Sequence, residues 1–539
     1  MNTRFQIKCP SSFLALLAVL SLSPLAEAAQ KTLIFCSEGS PSTFSPALAT
    51  DGTSITASAR QIFDRLLDFK QGQTEVVPGL AESYSVSKDH TQYTFKLRKN
   101  VKWHSSQLFK PTRNFNADDV IFSLDRQRLT DHPFHKTGGG TFEYFDSMEL
   151  GTIIKDVKKL DDYTVVITLS RPEAPFLSDI AMDFASIYSK EYADQLLKAG
   201  TPEKIDTDPI GTGPFELVKY VKDNQIRYKA FEGYYRGRAK IDQLIFAITP
   251  DASVRYQKLK AGECHLVTEP APADLAAMKA DPQFNVIERP GMNVAYLAFN
   301  TKKAPFNNRE VRQALSHAFN KQSYIESIYL NNAEIAKNPM PPTIWSYNDK
   351  IKDYDYNPEK AKTLLTKAGF DFSKEYQLWT MPVSRPYNPN GKKMGELMQS
   401  DLAKIGVKIK LVTFDWPTYL TKAKQPDEFS MIQFGWTGDN GDPDNFLNIL
   451  LSCKAVEAHS NTSFWCDKTF DDLVQKARTV ESVKSRTPLY EKAQEIFKKE
   501  APWLTIAHSK IFRTLSKKVQ GYVLDPLGGD EFYHVDLSP

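Results

Sequence analysis

A chain of 539 residues exceeds one typical domain, and two or three are expected. Its formal charge of +3 is close to balance and no basic block occurs, which gives nucleic-acid binding no support. No internal repeat or low-complexity tract is present.

The first segment sets the compartment. Arg4 and Lys8 form a positive n-region, the stretch from Phe13 to Leu22 a short apolar run, and Ala26-Glu27-Ala28 a small-x-small cleavage pattern. This reads as a secretory signal over residues 1–28, with the mature chain starting near Ala29. Cys9 precedes the apolar run and so cannot be the acylated cysteine of a lipoprotein. No other stretch reaches the about 18 apolar residues that a membrane span needs. A soluble protein exported to the periplasm is expected. The four remaining cysteines, Cys36, Cys264, Cys453 and Cys466, then point to disulfides with three possible connectivities. The short loop favours Cys453–Cys466, worth about 3 kcal/mol in chain entropy, which leaves Cys36 with Cys264.

Along the chain, strand and helix patterns alternate, the signature of an α/β fold. Residues 91–97 (TQYTFKL) and 163–169 read as strands. Between them a helix opens at Asn116, with acids in its first turn. A second helix opens at Asn357, has Pro358 in its first position and stops at Gly369. Residues 377–382 (QLWTMP) read as a strand, 384–391 as a Pro/Asn-rich loop, 392–405 as an amphipathic helix and 407–414 (VKIKLVTF) as a strand. That is a βαβ unit with parallel strands. A further strand, 429–435, runs into the loop FGWTGDNGDPDNF at 434–446. In open α/β sheets ligands bind outside the carboxyl ends of the strands. Two loops here follow such ends, one carrying Arg385 and the other Asp439.

The Asp439 loop does not fit a calcium site. An EF-hand needs acids or amides at positions 1, 3 and 5, but counting from Asp439 puts Gly441 at position 3, and counting from Asp442 puts Phe446 at position 5. No zincin, nucleophile-elbow or phosphate-loop sequence occurs, so no enzyme is expected and a secreted hydrolase is the weaker reading. His132 and His135, the nearest approach to metal-ligand spacing, read as surface residues. Asp442 and Pro443 read as N-cap and first position of a helix whose buried face is Phe446, Leu447, Ile449 and Leu450, with Asp444 complementing the dipole. Asp439 has no such duty and becomes a candidate acceptor for a ligand cation, near Trp436. Arg385, close to Tyr387, could hold a carboxylate bidentately. Together they suggest a zwitterionic ligand.

Here the chain resembles a family, the extracytoplasmic peptide- and nickel-binding proteins of ABC importers (solute-binding family 5). The resemblance spans essentially the whole mature chain. It rests on PGLAESYSVSKDHTQYTFKLRKNVKWH (78–104), FNADDVIFSLDR (115–126), PIGTGPF (209–215), EVRQALSHAFNK (310–321) and YNPEKAKTLLTKAGF (356–370). RPEAPFLSDIAMDFASIYSKEYAD (171–194), MPVSRPYNPN (381–390) and GWTGDNGDPDNF (435–446) are similar to its dipeptide-binding branch. The resemblance implies a two-lobed hinged binding-protein fold with an additional α/β domain inserted in lobe I. Lobe I would comprise 29–63, 212–290 and 510–539, the extra domain 64–211, and lobe III 291–509. It implies that Asp439 takes a peptide ammonium and Arg385 its carboxylate. Main-chain groups near Gly52 and Thr53 and near Gly435 and Trp436 would pair with the peptide backbone. It also implies disulfides Cys36–Cys264 and Cys453–Cys466, no cofactor or metal, and a monomer that hands short peptides, dipeptides foremost, to an inner-membrane ABC permease. Relatives bind haem, glutathione, tripeptides or nickel, and the lobe I segment ATDGTSITAS departs most from the dipeptide pattern, so haem or longer peptides are the alternative cargo.

Overall fold

The alternating strands and capped helices build one large sheet, one smaller four-stranded sheet and two two-stranded ribbons. The computed structural model describes residues 1–3, 6 and 30–538. Met1–Gln30 and Lys31–Pro539 are separate units, and all of these sheets belong to the second. The apolar run and cleavage site expected near the N-terminus lie outside the described residues. Among the described residues no helix is long and apolar enough to cross a membrane.

The small sheet is antiparallel, in the order Ala81–Val86, Gln92–Leu97, Thr164–Leu169, Ile154–Asp161. The two strands expected from sequence occupy its centre. Their alternate residues Tyr93, Phe95, Leu97 and Val165, Ile167, Leu169 are buried, as alternation in a half-covered antiparallel sheet requires. Helix Ala117–Arg128 packs beside it. Its start is a reciprocal cap, in which Asp118 N donates to Asn116 Oδ1 (3.0 Å) and Asn116 N to the Asp119 carboxylate (3.0 Å).

The large sheet has 12 strands. One half holds Lys408–Val412, Glu375–Trp379, Met431–Thr437 and Asn293–Phe299; the other holds Leu266–Thr268, Thr32–Ser37, Gln243–Ile248, Gln225–Ala230 and Phe215–Val221. The 14-residue strand Trp503–Ser516 belongs to both halves. Its first part pairs with Asn293–Phe299 and its last part with Leu266–Thr268 and Phe284–Pro290. At the crossover Asn293 clasps Ser509, with Oδ1 accepting from Ser509 N (2.9 Å) and Nδ2 donating to Ser509 O (3.2 Å).

The βαβ unit is present: Glu375–Trp379 runs parallel to Lys408–Val412, with helix Gly391–Lys404 between them in sequence. Met431–Thr437 is also parallel to Glu375–Trp379. The carboxyl ends that lead into Arg385 and Asp439 therefore point the same way. In the other half, Thr32–Ser37 is parallel to Leu266–Thr268, and the Cys36–Cys264 disulfide joins the ends of this pair of neighbours. Cys453–Cys466 closes a loop of sequence separation 13.

Candidate ligand-binding site

The Asp439 loop is tied down at nearly every residue except at one atom. Gly438 N donates to Met292 O (2.7 Å). The side-chain oxygen of Asn445 accepts from both Asp439 N (3.1 Å) and the Trp436 indole (2.9 Å). Asn440 Nδ2 donates across to Asp179 Oδ1 (2.8 Å). Gly441 has φ +73°, and a Cβ there would come within 2.5 Å of Thr74, so both the turn and its neighbour require glycine. Asp439 itself is half-buried. Its Oδ1 accepts from the Tyr144 hydroxyl (3.0 Å), whereas its Oδ2 is sealed from solvent without a hydrogen-bond partner. Loss of solvation pushes this carboxyl up to about 7, the Asp183 charge adds to the rise, and the bonds from Tyr144 and Asn445 oppose it. A buried acceptor left unpaired is costly. A cation placed against Oδ2 would relieve that cost.

The other acids of the loop have structural work. Helix Asp444–Leu451 begins one residue later than expected, so Pro443 is not inside it. Asp442 still stabilises the start, accepting from Asp444 N (2.9 Å), but its main partner is Arg486, which binds both its oxygens (2.7 and 2.8 Å). Asp444 sits in the first turn of that helix as expected, and it is buried, which pushes its carboxyl up to about 7. Phe446, Leu447, Ile449 and Leu450 form the buried face as expected.

Arg385 lies in a tight turn. Arg385 N donates to Asn388 O and Asn388 N to Arg385 O, both at 3.0 Å, with Pro386 and Tyr387 at the tip. Three anchors hold the turn: Tyr329 Oη donates to Tyr387 O (2.6 Å), Ser509 Oγ to Pro386 O (2.7 Å), and Asn388 Nδ2 to Gln433 Oε1 (3.4 Å). Tyr387 is buried with its ring flat on Gly435, where a Cβ would sit 2.1 Å from Tyr387 Cδ2. Burial pushes the Tyr387 hydroxyl up to about 12 against the pull of the neighbouring Arg385 guanidinium. One ring on one glycine thus couples the arginine turn to the strand that ends at the Asp439 loop.

Gly52 and Thr53 open the short helix Gly52–Ala57, capped by Asp51, whose Oδ1 accepts from Ser54 N (2.9 Å). The Thr53 hydroxyl donates to Glu38, the residue just past the carboxyl end of Thr32–Ser37. A Cβ on Gly52 would lie 3.7 Å from Gly528 O, and one on Gly528 would lie 3.9 Å from Thr437 Cγ2. Gly528 therefore bridges the Gly52–Thr53 turn and the end of the Met431–Thr437 strand.

Sequence reasoning missed Tyr144, Asn445 and Asp183. Tyr144 lies 295 residues from its partner Asp439, and no local pattern announces it. His132 and His135 are half-buried. His132 Nδ1 accepts from Phe134 N (3.2 Å) and His135 Nδ1 bonds Arg126 O (2.9 Å). No cluster of His, Cys, Asp and Glu able to hold a metal occurs among the described residues.

The family model for bacterial extracellular solute-binding proteins, family 5 Middle, matches residues 75–458. The chain belongs to that family. It is 53% identical to the dipeptide-binding protein of Escherichia coli K12, over 97% of each chain. It is 49% identical to heme-binding protein A of Haemophilus influenzae, over 94% of this chain and 92% of that one. Among solved structures it is similar to the dipeptide binding protein of Pseudoalteromonas sp. SM9913 in complex with Met-Leu, with a TM-score of 0.88 and 35% identity over 94% of this chain and 100% of that one. These family members are solute-binding proteins, not enzymes.

Proposed function

We propose that this protein captures short peptides, dipeptides foremost, by their two charged termini in the periplasm and delivers them to an inner-membrane ABC permease. The observation that carries the reading is Asp439 Oδ2, a buried carboxylate oxygen with no hydrogen-bond partner, on a loop coupled through Tyr387 and Gly435 to Arg385. The peptide ammonium would sit on Oδ2 and the C-terminal carboxylate on the Arg385 guanidinium. Main-chain groups of Gly52 and Thr53 on one side, and of Gly435 and Trp436 on the other, would pair with the peptide backbone. The likeness to the Escherichia coli and Pseudoalteromonas proteins supports a dipeptide cargo.

Segments 29–63, 212–290 and 510–539 would move as one lobe and 291–509 as the other, with 64–211 riding on the first. The change of pairing along Trp503–Ser516 supports a hinge there. The protein would act as a monomer without a cofactor and return its ligand unchanged.

Titration calorimetry with Ala-Ala, N-acetyl-Ala-Ala and Ala-Ala amide tests the reading. Ala-Ala should bind, and each blocked form should lose at least about two decades in Kd, since an uncompensated buried charge costs about 3–5 kcal/mol. Equal binding of all three would overturn it. The likeness to heme-binding protein A favours haem as the second cargo. A Soret shift on adding hemin, unaffected by excess Ala-Ala, would assign haem a site of its own.

A further inference from the structure

A second group of charges crosses between the segment that carries the small sheet and the segment that carries Asp439. Arg478 crosses most directly. Its Nε donates to Glu173 (2.7 Å), its Nη1 to Glu149 (2.9 Å), and its carbonyl accepts from Ala174 N (2.7 Å). Arg171 adds a second cation to Glu173 at 2.9 Å. On the other side Arg486 gives both forks to Asp442 and a third bond to the Tyr490 hydroxyl (2.9 Å). The hydrogen bonds of these guanidinium groups to carboxylates thereby go to Glu149, Glu173 and Asp442.

Two carboxyls remain, Asp179 from the first segment and Asp444 from the second. They are 4% and 5% exposed, so water does not solvate them. Asp179 accepts from the neutral amide of Asn440 and forms no ion pair among the described residues. Asp444 accepts from the amide of Asn448 (3.2 Å), its Oδ1 has no hydrogen-bond partner, and its ion pair with Arg478 Nε is long, at 3.7 Å, on a guanidinium that Glu149 and Glu173 share. The charged groups that face Asp179 are Asp444, Glu173, Asp442 and Arg478. Those that face Asp444 are Arg478, Glu173, Asp442 and Arg486. Five acids thus share three arginines, and of the two buried carboxyls Asp179 has no ion pair among the described residues and Asp444 only a long one, so the two cannot both stay ionised.

We propose that this contact is a proton-binding clasp: bringing the two segments together over a ligand loads one proton from solvent onto the Asp179–Asp444 pair, and parting them returns it. Burial drives both carboxyls up, and for Asp179 the Asp444 charge is the largest contribution after burial. Parting the segments would wet Asp179, separate it from Asp444 and restore its ordinary acidity. Acid then favours the joined form, so the clasp regulates the proposed peptide site without touching the peptide.

Asp179→Asn keeps the acceptor for Asn440 and removes the titration; Asp444→Asn is the second variant, should the first fail to fold. Calorimetry of Ala-Ala binding at pH 6.5, in buffers of different ionisation heat, should show wild type taking up about one proton more than either variant. Any contribution from Asp439 cancels in that difference. Equal proton numbers would overturn the clasp. This arm rests on the peptide reading, so X-ray scattering of ligand-free protein supplies an independent one. Wild type should contract between pH 8 and pH 6 and Asp179→Asn should not. If Ala-Ala fails to bind, the peptide reading fails and the scattering decides: contraction confined to wild type supports the clasp, and identical responses overturn it.

Discussion

Asp439→Asn should weaken peptide binding while stabilising the empty protein. The amide keeps an oxygen for the Tyr144 hydroxyl and for shape, but replaces the unpaired Oδ2 with a donor facing the ligand ammonium. Removing one partner of a buried ion pair costs about 3–5 kcal/mol, or about two to four decades in Kd. The gain has the same origin. An acid raised from 3.8 to about 7 corresponds to at most about 4 kcal/mol against its ionised form. The sign comes from linkage: the folded value lies above the unfolded one, so stability is full below about pH 4 and is lost as pH rises through about 7. Above pH 7 the wild type bears the whole cost and the amide none. A chain of this size unfolds with an entropy of about 1 kcal/mol/K, so the empty variant should melt about 1–4 °C higher at pH 8. The difference should shrink toward pH 4.5. Calorimetric Kd values and melting curves at the two pH values measure both effects. An unchanged Kd together with an unchanged or lower melting temperature at pH 8 would refute the reasoning.

The same geometry fixes three further outcomes. Arg385→Ala should cost free dipeptides far more affinity than dipeptide amides, and equal losses in calorimetry would remove its carboxylate role. Tyr144→Phe deletes the hydroxyl that binds Asp439 Oδ1; a hydrogen bond to a charged group is worth about 1.5–3 kcal/mol, so Kd should rise by about one to two decades with the ligand's own contacts unaltered. Gly435→Ala forces a methyl group into the Tyr387 ring, at a cost of about 1–3 kcal/mol for overpacking; chemical denaturation should show that loss, with weaker peptide binding because the Arg385 turn is displaced.

Local signals reached far along this chain. Asn116 and Asn357 each cap the helix that their spacing announces, because a cap is decided within four residues. The parallel strands flanking Gly391–Lys404 were legible for the same reason, and they bring the Arg385 and Asp439 loops to one end of a sheet. What stayed hidden is non-local. Tyr144 reaches Asp439, Arg486 binds Asp442, and Asp179 meets Asn440 across intervals that no periodicity encodes. Asp444 shows the same limit: its place in a first turn was legible, but its burial was not.

The strand Trp503–Ser516 carries a mechanical consequence. One uninterrupted backbone, hydrogen-bonded to a different partner at each end, can bend and twist at its middle but cannot slide without breaking ladders on both sides. On the proposed two-lobe reading, opening would be a rotation about a line near Ser509 that leaves the ladders of each half in place. A membrane partner pulling the halves apart would spend its work on the contacts between them, the Ala174–Arg478 main-chain bond included.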